Sequence, residues 1–480
     1  MTDRYTKNLM ALEARFPTAA TAVRGAGDDV EILPSRKGVP TGKLSGSYLH
    51  SAYDPMDEAI KFTRGHGLGP GDHVALYGMG LGHHLKPLLD IIGPQGLLVV
   101  AEANAAILKA ALAVVDDPAV LNDPRLTVVA GSGEAEFLSQ WAKALAALDT
   151  ERTRVVIFSP SLRNMPAGFN MARRAVEMVR MERRFPVIMG EVENENFRRN
   201  LPRIKKSAGV SALRGTLTGR GAFVVGAGPT LDRDIVELCR NSPMAIFSSD
   251  TACPVLLSAG ITPHMVFTAD PQPVSRWHFD LAGRYDIPLV LPPTACANLV
   301  GSWSGPLYFG FPAPERHKDP ARSWMRSMGV FEGGGSVSAY ALETAFMAGA
   351  SHVVLAGQDF GYPWGRVYAT GCLPDWSQVS MSQEGLARER NYFNNGTTLT
   401  ALALYSYRRA FEDLIRAHDG TRVYTLSAHG VALEGVEAIP SPAVLGIKPG
   451  EGFEFNAPAF SGNGYTAEVE RAFMDWLEGQ

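Results

Sequence analysis

The run GRGAFVVGAGPTLDRDIVEL constrains the fold of this chain more than any other feature. Its apolar stretch, Ala222 to Val225, reads as a buried strand that passes without a spacer into Gly226, Ala227, Gly228, Pro229 and Thr230, with a helix starting near Leu231. A strand that turns this tightly into a helix reaches a parallel neighbour only by a crossover, so the unit commits the chain to an α/β architecture. The same grammar recurs downstream. Met244 to Ser248 ends at Ser249, Asp250 and Thr251, Met265 to Thr268 ends at Asp270 and Pro271, and Val353 to Leu355 ends at Gly357, Gln358 and Asp359. Pro288 to Leu291 and Leu307 to Phe309 are further strand-like runs.

Nearer the amino terminus, HVALYGMGLGHHLKPLLD repeats the pattern, with strand Val74 to Tyr77, glycines Gly78, Gly80 and Gly82, and a helix from about His83. A second strand, Leu97 to Val100, ends near Glu102, which lies 24 residues beyond Gly78. In a dinucleotide or adenosyl-cofactor pocket, that distal acid accepts hydroxyl hydrogens from a ribose. GMGLG followed by HH departs from the full GxGxxG pattern, so a ligand pocket and a purely structural turn both stay open. His83 and His84 are adjacent and point about 100° apart on a helix, which makes them poor joint metal ligands. Strands at Leu126 to Val129 and Val155 to Phe158, with helices at Ala105 to Val114 and Ala172 to Arg184, complete this part. Before it, the stretch through Tyr53 reads as irregular apart from a helix at Leu9 to Phe16.

At 480 residues the chain exceeds one ordinary core. The expected division is an α/β Rossmann-like amino-terminal domain over 1–205, a central catalytic domain over 206–385, and a mainly helical carboxyl-terminal region over 386–480. Lys plus Arg at 45 against Asp plus Glu at 49 gives a net charge of −4, so nucleic acid is a poor partner. Cys239, Cys253, Cys296 and Cys372 lie far apart, with no close pair for a zinc site or a redox dithiol, which fits a reduced, cytoplasmic chain. Neither a signal sequence nor an 18-residue apolar span is present at the amino terminus, so membrane insertion is not expected.

The chemistry is most legible centrally. Thr230 can cap its helix or bind a phosphate oxygen, while the lysine of an ordinary P-loop is missing. Asp250 and Asp270, each just past a strand, suit a divalent cation, a sugar hydroxyl or a substrate proton. FEGGGSVSAYALETAFMAG places Gly333, Gly334 and Gly335 before Ser336 and Ser338 at a helix start, a second turn of the phosphate-binding type. Asp359 is the strongest single carboxylate candidate. Beyond it, Tyr362, Trp364, Arg366 and Tyr368 lie in a glycine-rich loop that can close over a substrate. The segment TRVYTLSAHGVALEGVEAIP, with His429 near its turn, reads as an ordered tail returning to the central domain. No HExxH or Ser-His-Asp signature stands out.

The strings VVGAGPTLD, SSDTA, AGITPHMVFTADPQ, GGGSVSAYALETAFMAGA and VVLAGQDF together resemble the MAF-like, or DUF115, family of motility accessory factors and 6-hydroxymethylpterin diphosphokinases. HSAYDPMDEA, ALYGMGLGHHL, VVAEAN, ENFRRNLP and LSAHGVALEGV are similar to the outer regions of its flagellin-glycosylating branch. The resemblance implies a central domain similar in fold to bacterial sialyltransferases, and transfer of a nonulosonic acid from a CMP-activated donor to Ser or Thr of flagellin. It implies that Gly226, Gly228, Pro229, Thr230, Asp250, Thr251, Gly334, Ser336 and Gln358 surround the nucleotide, with Asp270, Asp359 and Tyr368 catalytic. Tyr368 stands where many relatives have a His. Asp250 and Asp270 are the metal candidates if a divalent cation such as Mg²⁺ is used. The alternatives are a Mg-ATP-dependent diphosphokinase acting on a pterin and a non-enzymatic flagellin-binding factor. Oligomeric state is open.

Overall fold

The computed structural model describes residues 3–116, 118–149, 152–238, 243–312, 314–333, 335–372, 386–447 and 455–478. The chain divides into two compact units, Met1–Arg184 and Phe185–Gln480.

In the first unit a four-stranded parallel sheet runs in the order Leu126–Val129, Leu97–Ala101, His73–Tyr77, Thr153–Ile157. Its strands are apolar runs because helices bury them. Val74, Leu76, Leu98 and Val100 pack with Leu108 and Leu112 of helix Ala105–Val114 in one core. Asn104 starts that helix by accepting from the Ala106 amide at 3.1 Å. The stretch expected to be irregular is instead ordered. It forms helix Pro17–Arg24 and a three-stranded antiparallel sheet, Glu31–Pro34, Pro40–Leu44 and Ser47–Tyr48. Its strands are short and carry Pro and Gly, which disguised them. The hairpin signal is Ser45 and Gly46, whose φ values of 51° and 79° match the twist of the flanking strands.

The second unit holds a nine-stranded sheet in the order Val436–Ala438, Arg422–Thr425, His352–Ala356, Gly221–Val225, Ala245–Ser249, Met265–Phe267, Leu289–Leu291, Leu307–Phe309, Ala208–Gly209. All of its pairings are parallel. The chain walks outward from Gly221–Val225 to Leu307–Phe309 and then returns to lay His352–Ala356 on the opposite side of Gly221–Val225. That reversal is the topological switch point of the sheet, where α/β folds open a crevice at the carboxyl ends of the strands. Ala356 pairs with Val225, so Gly226 and Gly357 leave the sheet side by side. Helix Val337–Met347, buried over most of its length, covers one face against Phe247 and Phe267.

The carboxyl-terminal segment does contain helices, Leu402–Ala417 and Ala467–Glu478. It is nevertheless not a separate helical region, because TRVYTLSAHGVALEGVEAIP returns as strands Arg422–Thr425 and Val436–Ala438 and extends the same sheet through parallel pairing with His352–Ala356. The expected boundary at 205 falls at the end of helix Asn170–Ile204, beyond the division at Arg184. Basic residues around that boundary are held down within the second unit: Arg198 donates to Leu477 O, Arg199 to Asn298 Oδ1 and Arg203 to Trp303 O, while Lys205 pairs with Glu470 at 2.6 Å. Cys253, Cys296 and Cys372 are free and buried, and Cys239 lies outside the described residues. Among the described residues no helix is long and apolar enough to cross a membrane.

Candidate functional site

A cleft of about 590 Å³ opens at the switch point of the second unit. Gly226, Gly228, Asp250, Thr251, Asp270, Ser336, Gln358, Asp359 and Tyr368 all line it. Residues from four strand ends and one helix start, up to 142 positions apart (Gly226 to Tyr368, 368 − 226), therefore share one cavity. Gly334 lies outside the described residues, although its neighbours Gly335 and Ser336 are on the wall.

The glycine turn serves a different purpose from the one its sequence suggests. A Cβ on Gly226 would sit 2.7 Å from Gly357 O, and one on Gly228 would overlap Asp359 Oδ2. The missing side chains thus admit the neighbouring strand end. The turn amides are likewise used within the protein: Gly226 N donates to Ala356 O and Gly228 N to Gly357 O, both at 2.9 Å, and Thr230 N donates to Asp359 Oδ2 at 2.9 Å. Among the described residues, the Ala227 amide is the one in this turn without a protein acceptor. Pro229 and Thr230, expected at the nucleotide, stand behind the cleft wall. The Thr230 hydroxyl is buried between carboxylates, 2.6 Å from Asp359 Oδ1 and 3.1 Å from Asp234 Oδ2. Asp234 also accepts from Gly357 N and Ser427 Oγ, at 2.9 and 2.8 Å. Asp359 is thus a fully engaged carboxylate that ties the turn to the strand end. Burial, reinforced by the Asp234 and Asp232 charges, pushes it up to about 7 against the Thr230 hydrogen bonds.

The second glycine turn is held by a buried acid on its own helix. Glu343 accepts from Glu332 N at 2.7 Å and Gly333 N at 3.1 Å, and burial raises its pKa. Ser336 caps helix Val337–Met347 by accepting from Ala339 N at 3.2 Å. Gln358 Nε2 donates to Ser338 Oγ at 2.9 Å, joining the two turns across the cleft.

Opposite them, Asp250 accepts from Thr251 N and Oγ1 with one oxygen, at 2.7 and 3.1 Å, and from Thr268 Oγ1 with the other at 2.6 Å. Asp270 accepts from Gln272 N at 2.8 Å, and burial together with the Asp250 charge raises its pKa. Both oxygens of Asp250 being occupied, this pair does not make a cation cage by itself. Among the described residues no group of three or more His, Cys, Asp or Glu has the arrangement to hold a metal ion. A cation shared with substrate phosphates needs only one or two protein carboxylates, and Asp270 is the residue that fits that role.

Sequence reasoning missed His278, Tyr340 and Tyr407, which also line the cleft. His278 lies on helix Val274–Ala282 with no motif around it, and only the fold brings it beside Asp250 and Asp270. Its Nε2 is 3.5 Å from Thr251 Oγ1. Tyr368 stands in the cleft with its phenol pushed up to about 12 by burial, so it keeps its proton at neutral pH and acts as a donor. The loop around it is stapled: Arg366 reaches Asp232 at 2.7 Å and Thr370 Oγ1 at 3.0 Å, and Thr370 N donates to Asp232. Trp364 stays off the cleft, under the Arg233 guanidinium at 4.3 Å and against His429 at 4.9 Å.

In the first unit the GMGLG turn is filled from within. Met79 N donates to Glu102 Oε2 at 3.0 Å, Gly80 N to Ser161 Oγ at 3.2 Å and Leu81 N to His50 Nε2 at 2.9 Å. Glu102 is fully buried and accepts from the Met79 and Asn104 amides, which makes this turn structural and leaves the acid no ribose to meet.

Residues 195–365 match the family described as 6-hydroxymethylpterin diphosphokinase MptE-like, in agreement with the resemblance carried by the five central motifs. A solved structure, described as MAf glycosyltransferase from Magnetospirillum magneticum AMB-1, is similar at 17% identity and a TM-score of 0.44, over 99% of this chain and 78% of its own. No curated protein matches the chain.

Proposed function

We propose, for a chain whose residues 195–365 match the MptE-like family, that the switch-point cleft binds a nucleotide-activated donor and that the protein is a glycosyltransferase. The donor we assign is a CMP-activated nonulosonic acid, and the acceptor is a Ser or Thr hydroxyl of flagellin. The carrying observation is the convergence of both glycine turns, Asp250, Asp270 and Gln358 on one cavity. Its charge favours a donor with a single phosphate. Glu193, Asp250, Asp270 and Asp359 line the cleft, and no Lys or Arg is among its described lining residues. A triphosphate would crowd more negative charge against those carboxylates than a phosphodiester does.

In the transfer, the bond between the anomeric carbon and the phosphate oxygen breaks and its electron pair leaves with CMP. The acceptor oxygen bonds to the same carbon and gives up its proton. The Ala227 amide can donate to the departing phosphate, the Tyr368 phenol lines the same cavity, and Asp270 orients the acceptor hydroxyl. Asp359 holds the wall in place, since both its oxygens are already engaged with Thr230.

A second reading, diphosphate transfer from ATP to a hydroxymethylpterin, draws on the description of the matched family. Intact-mass measurement of flagellin incubated with the protein and a CMP-nonulosonate separates the two. The expected result is a mass increase in whole sugar units together with free CMP. Unmodified flagellin alongside ATP-dependent diphosphorylation of a hydroxymethylpterin would support the second reading instead.

A further inference from the structure

A second depression, also of about 590 Å³, opens along the same carboxyl edge of the nine-stranded sheet, past the outer strands Arg422–Thr425 and Val436–Ala438. Thr230 and Asp234, which stand behind the donor cleft, are part of its wall, and Phe393 and His429 give it an aromatic floor. Those two rings are 4.6 Å apart, and Trp364 extends the row 4.9 Å beyond His429, with the Arg233 guanidinium 4.3 Å over the indole. Phe393 is 48% and Trp364 47% exposed, so the row is a contiguous apolar surface in water rather than a scattered side chain. Both rings stand on closed turns. Phe393 N donates to Asn391 Oδ1 and Gly396 N to Phe393 O, each at 3.0 Å. Gly365 N donates to Tyr362 O at 3.0 Å, and between them Trp364 holds a left-handed φ of 56°. A non-glycine residue keeps that backbone only where its surroundings over-determine it, so the indole is fixed in its exposed position before a ligand arrives.

Charge and shape select the ligand. Asp234 is engaged by Thr230, Gly357 and Ser427, which leaves Arg233 and Glu237, one charge of each sign, among the described lining residues. His429 Nε2 is 3.2 Å from Arg233 Nη1, a group that can only donate, so the imidazole is neutral and offers its Nδ1–H. An anion would be opposed by Glu237 and a cation by Arg233, whereas an uncharged ligand with hydroxyls on its rim meets both as donor and acceptor. The ring planes are tilted by 51° and 52°, which makes a stepped floor rather than the parallel slot that suits a planar base. A puckered ring follows such steps, with its C–H bonds against the negative faces of the aromatic rings. We propose that this depression is a binding site for a neutral pyranose sugar, stacked by its C–H face on Phe393, His429 and Trp364, with its hydroxyls on Arg233, Glu237 and Nδ1 of His429. The site lies outside the donor cleft and does not depend on the transferase reading. A free glycoside and a glycan carried on a protein present the same ring.

The test is saturation-transfer NMR on the full chain, in excess CMP, with methyl glycosides of the common neutral hexoses and N-acetylhexosamines. A methyl glucuronide and adenosine serve as the charged and the planar control. At least one neutral glycoside is expected to bind, with the strongest transfer at its ring C–H protons. Trp364→Ala and Phe393→Ala are each expected to weaken that binding roughly fivefold or more. Both rings are exposed, so their truncation should leave the fold intact, and melting curves that match wild type are the check on that. The bound sugar is then offered O-linked to a serine peptide: tighter binding than the free glycoside marks a protein-borne glycan and equal binding a free one, and either outcome keeps the site. Binding by no member of the panel, binding unchanged in both variants, displacement of the glycoside by CMP, or a preference for the glucuronide or for adenosine would each overturn the assignment.

Discussion

Thr230 has one hydroxyl proton and two carboxylate oxygens within hydrogen-bond reach, Asp359 Oδ1 at 2.6 Å and Asp234 Oδ2 at 3.1 Å. Both contacts are favourable only if one of the acids carries a proton of its own. Asp359, pushed up to about 7 by burial, is the holder. It keeps its proton in the folded protein at pH values where the unfolded chain, with an aspartate near its ordinary value of 3.8, has lost it. The folded state thus binds more protons, so this group's contribution to stability declines as pH rises from about 4 towards 7 and then levels off. In Asp359→Asn the amide can donate to Thr230 Oγ1 without titrating. Thermal melts from pH 5 to 8 should show wild type losing stability relative to Asp359→Asn as pH rises, and parallel curves would refute the shared proton. The sequence marked Thr230 and Asp359 separately, one as a phosphate ligand and the other as a base. Their bond spans 129 positions, and no local pattern records it. His278 was invisible for a related reason, since a histidine on an amphipathic helix resembles any packed histidine until the neighbouring strand ends are in place.

At the scale of elements, the central parallel strands were legible because a sheet covered on both faces needs uninterrupted apolar runs, as in Gly221–Val225, where every residue is buried. The antiparallel strands of the first unit were not, because they are short and interrupted by Pro and Gly, and the late strands Arg422–Thr425 and Val436–Ala438 were not, because they join the sheet through His352–Ala356, far upstream in the sequence. The glycine runs were found, but their reasons were hidden. Gly228 makes room for Asp359, and the run before helix Val337–Met347 is fixed by Glu343. Glu343→Ala would leave the Glu332 and Gly333 amides without their acceptor, at a cost of about 1–3 kcal/mol. The expected result is a lower denaturation midpoint in urea with weaker CMP binding. Unchanged values of both would mean that Glu343 does not hold this turn.

For the whole molecule, two parallel sheets carry similar strand–glycine–helix turns with opposite outcomes. In the first unit, Glu102, Ser161 and His50 occupy the turn amides. In the second, the return of His352–Ala356 beside Gly221–Val225 makes a switch point, and the cleft opens there. One nucleotide site per chain, in the second unit, is the expectation that this contrast sets up. Titration calorimetry of the full-length protein with CMP, and with ATP in the presence and absence of magnesium, reads this out. The expected result is one CMP per chain, bound more tightly than ATP under either condition and weakened by Gln358→Ala. No heat with any nucleotide, or binding unaffected by that substitution, would contradict a donor site at the switch point.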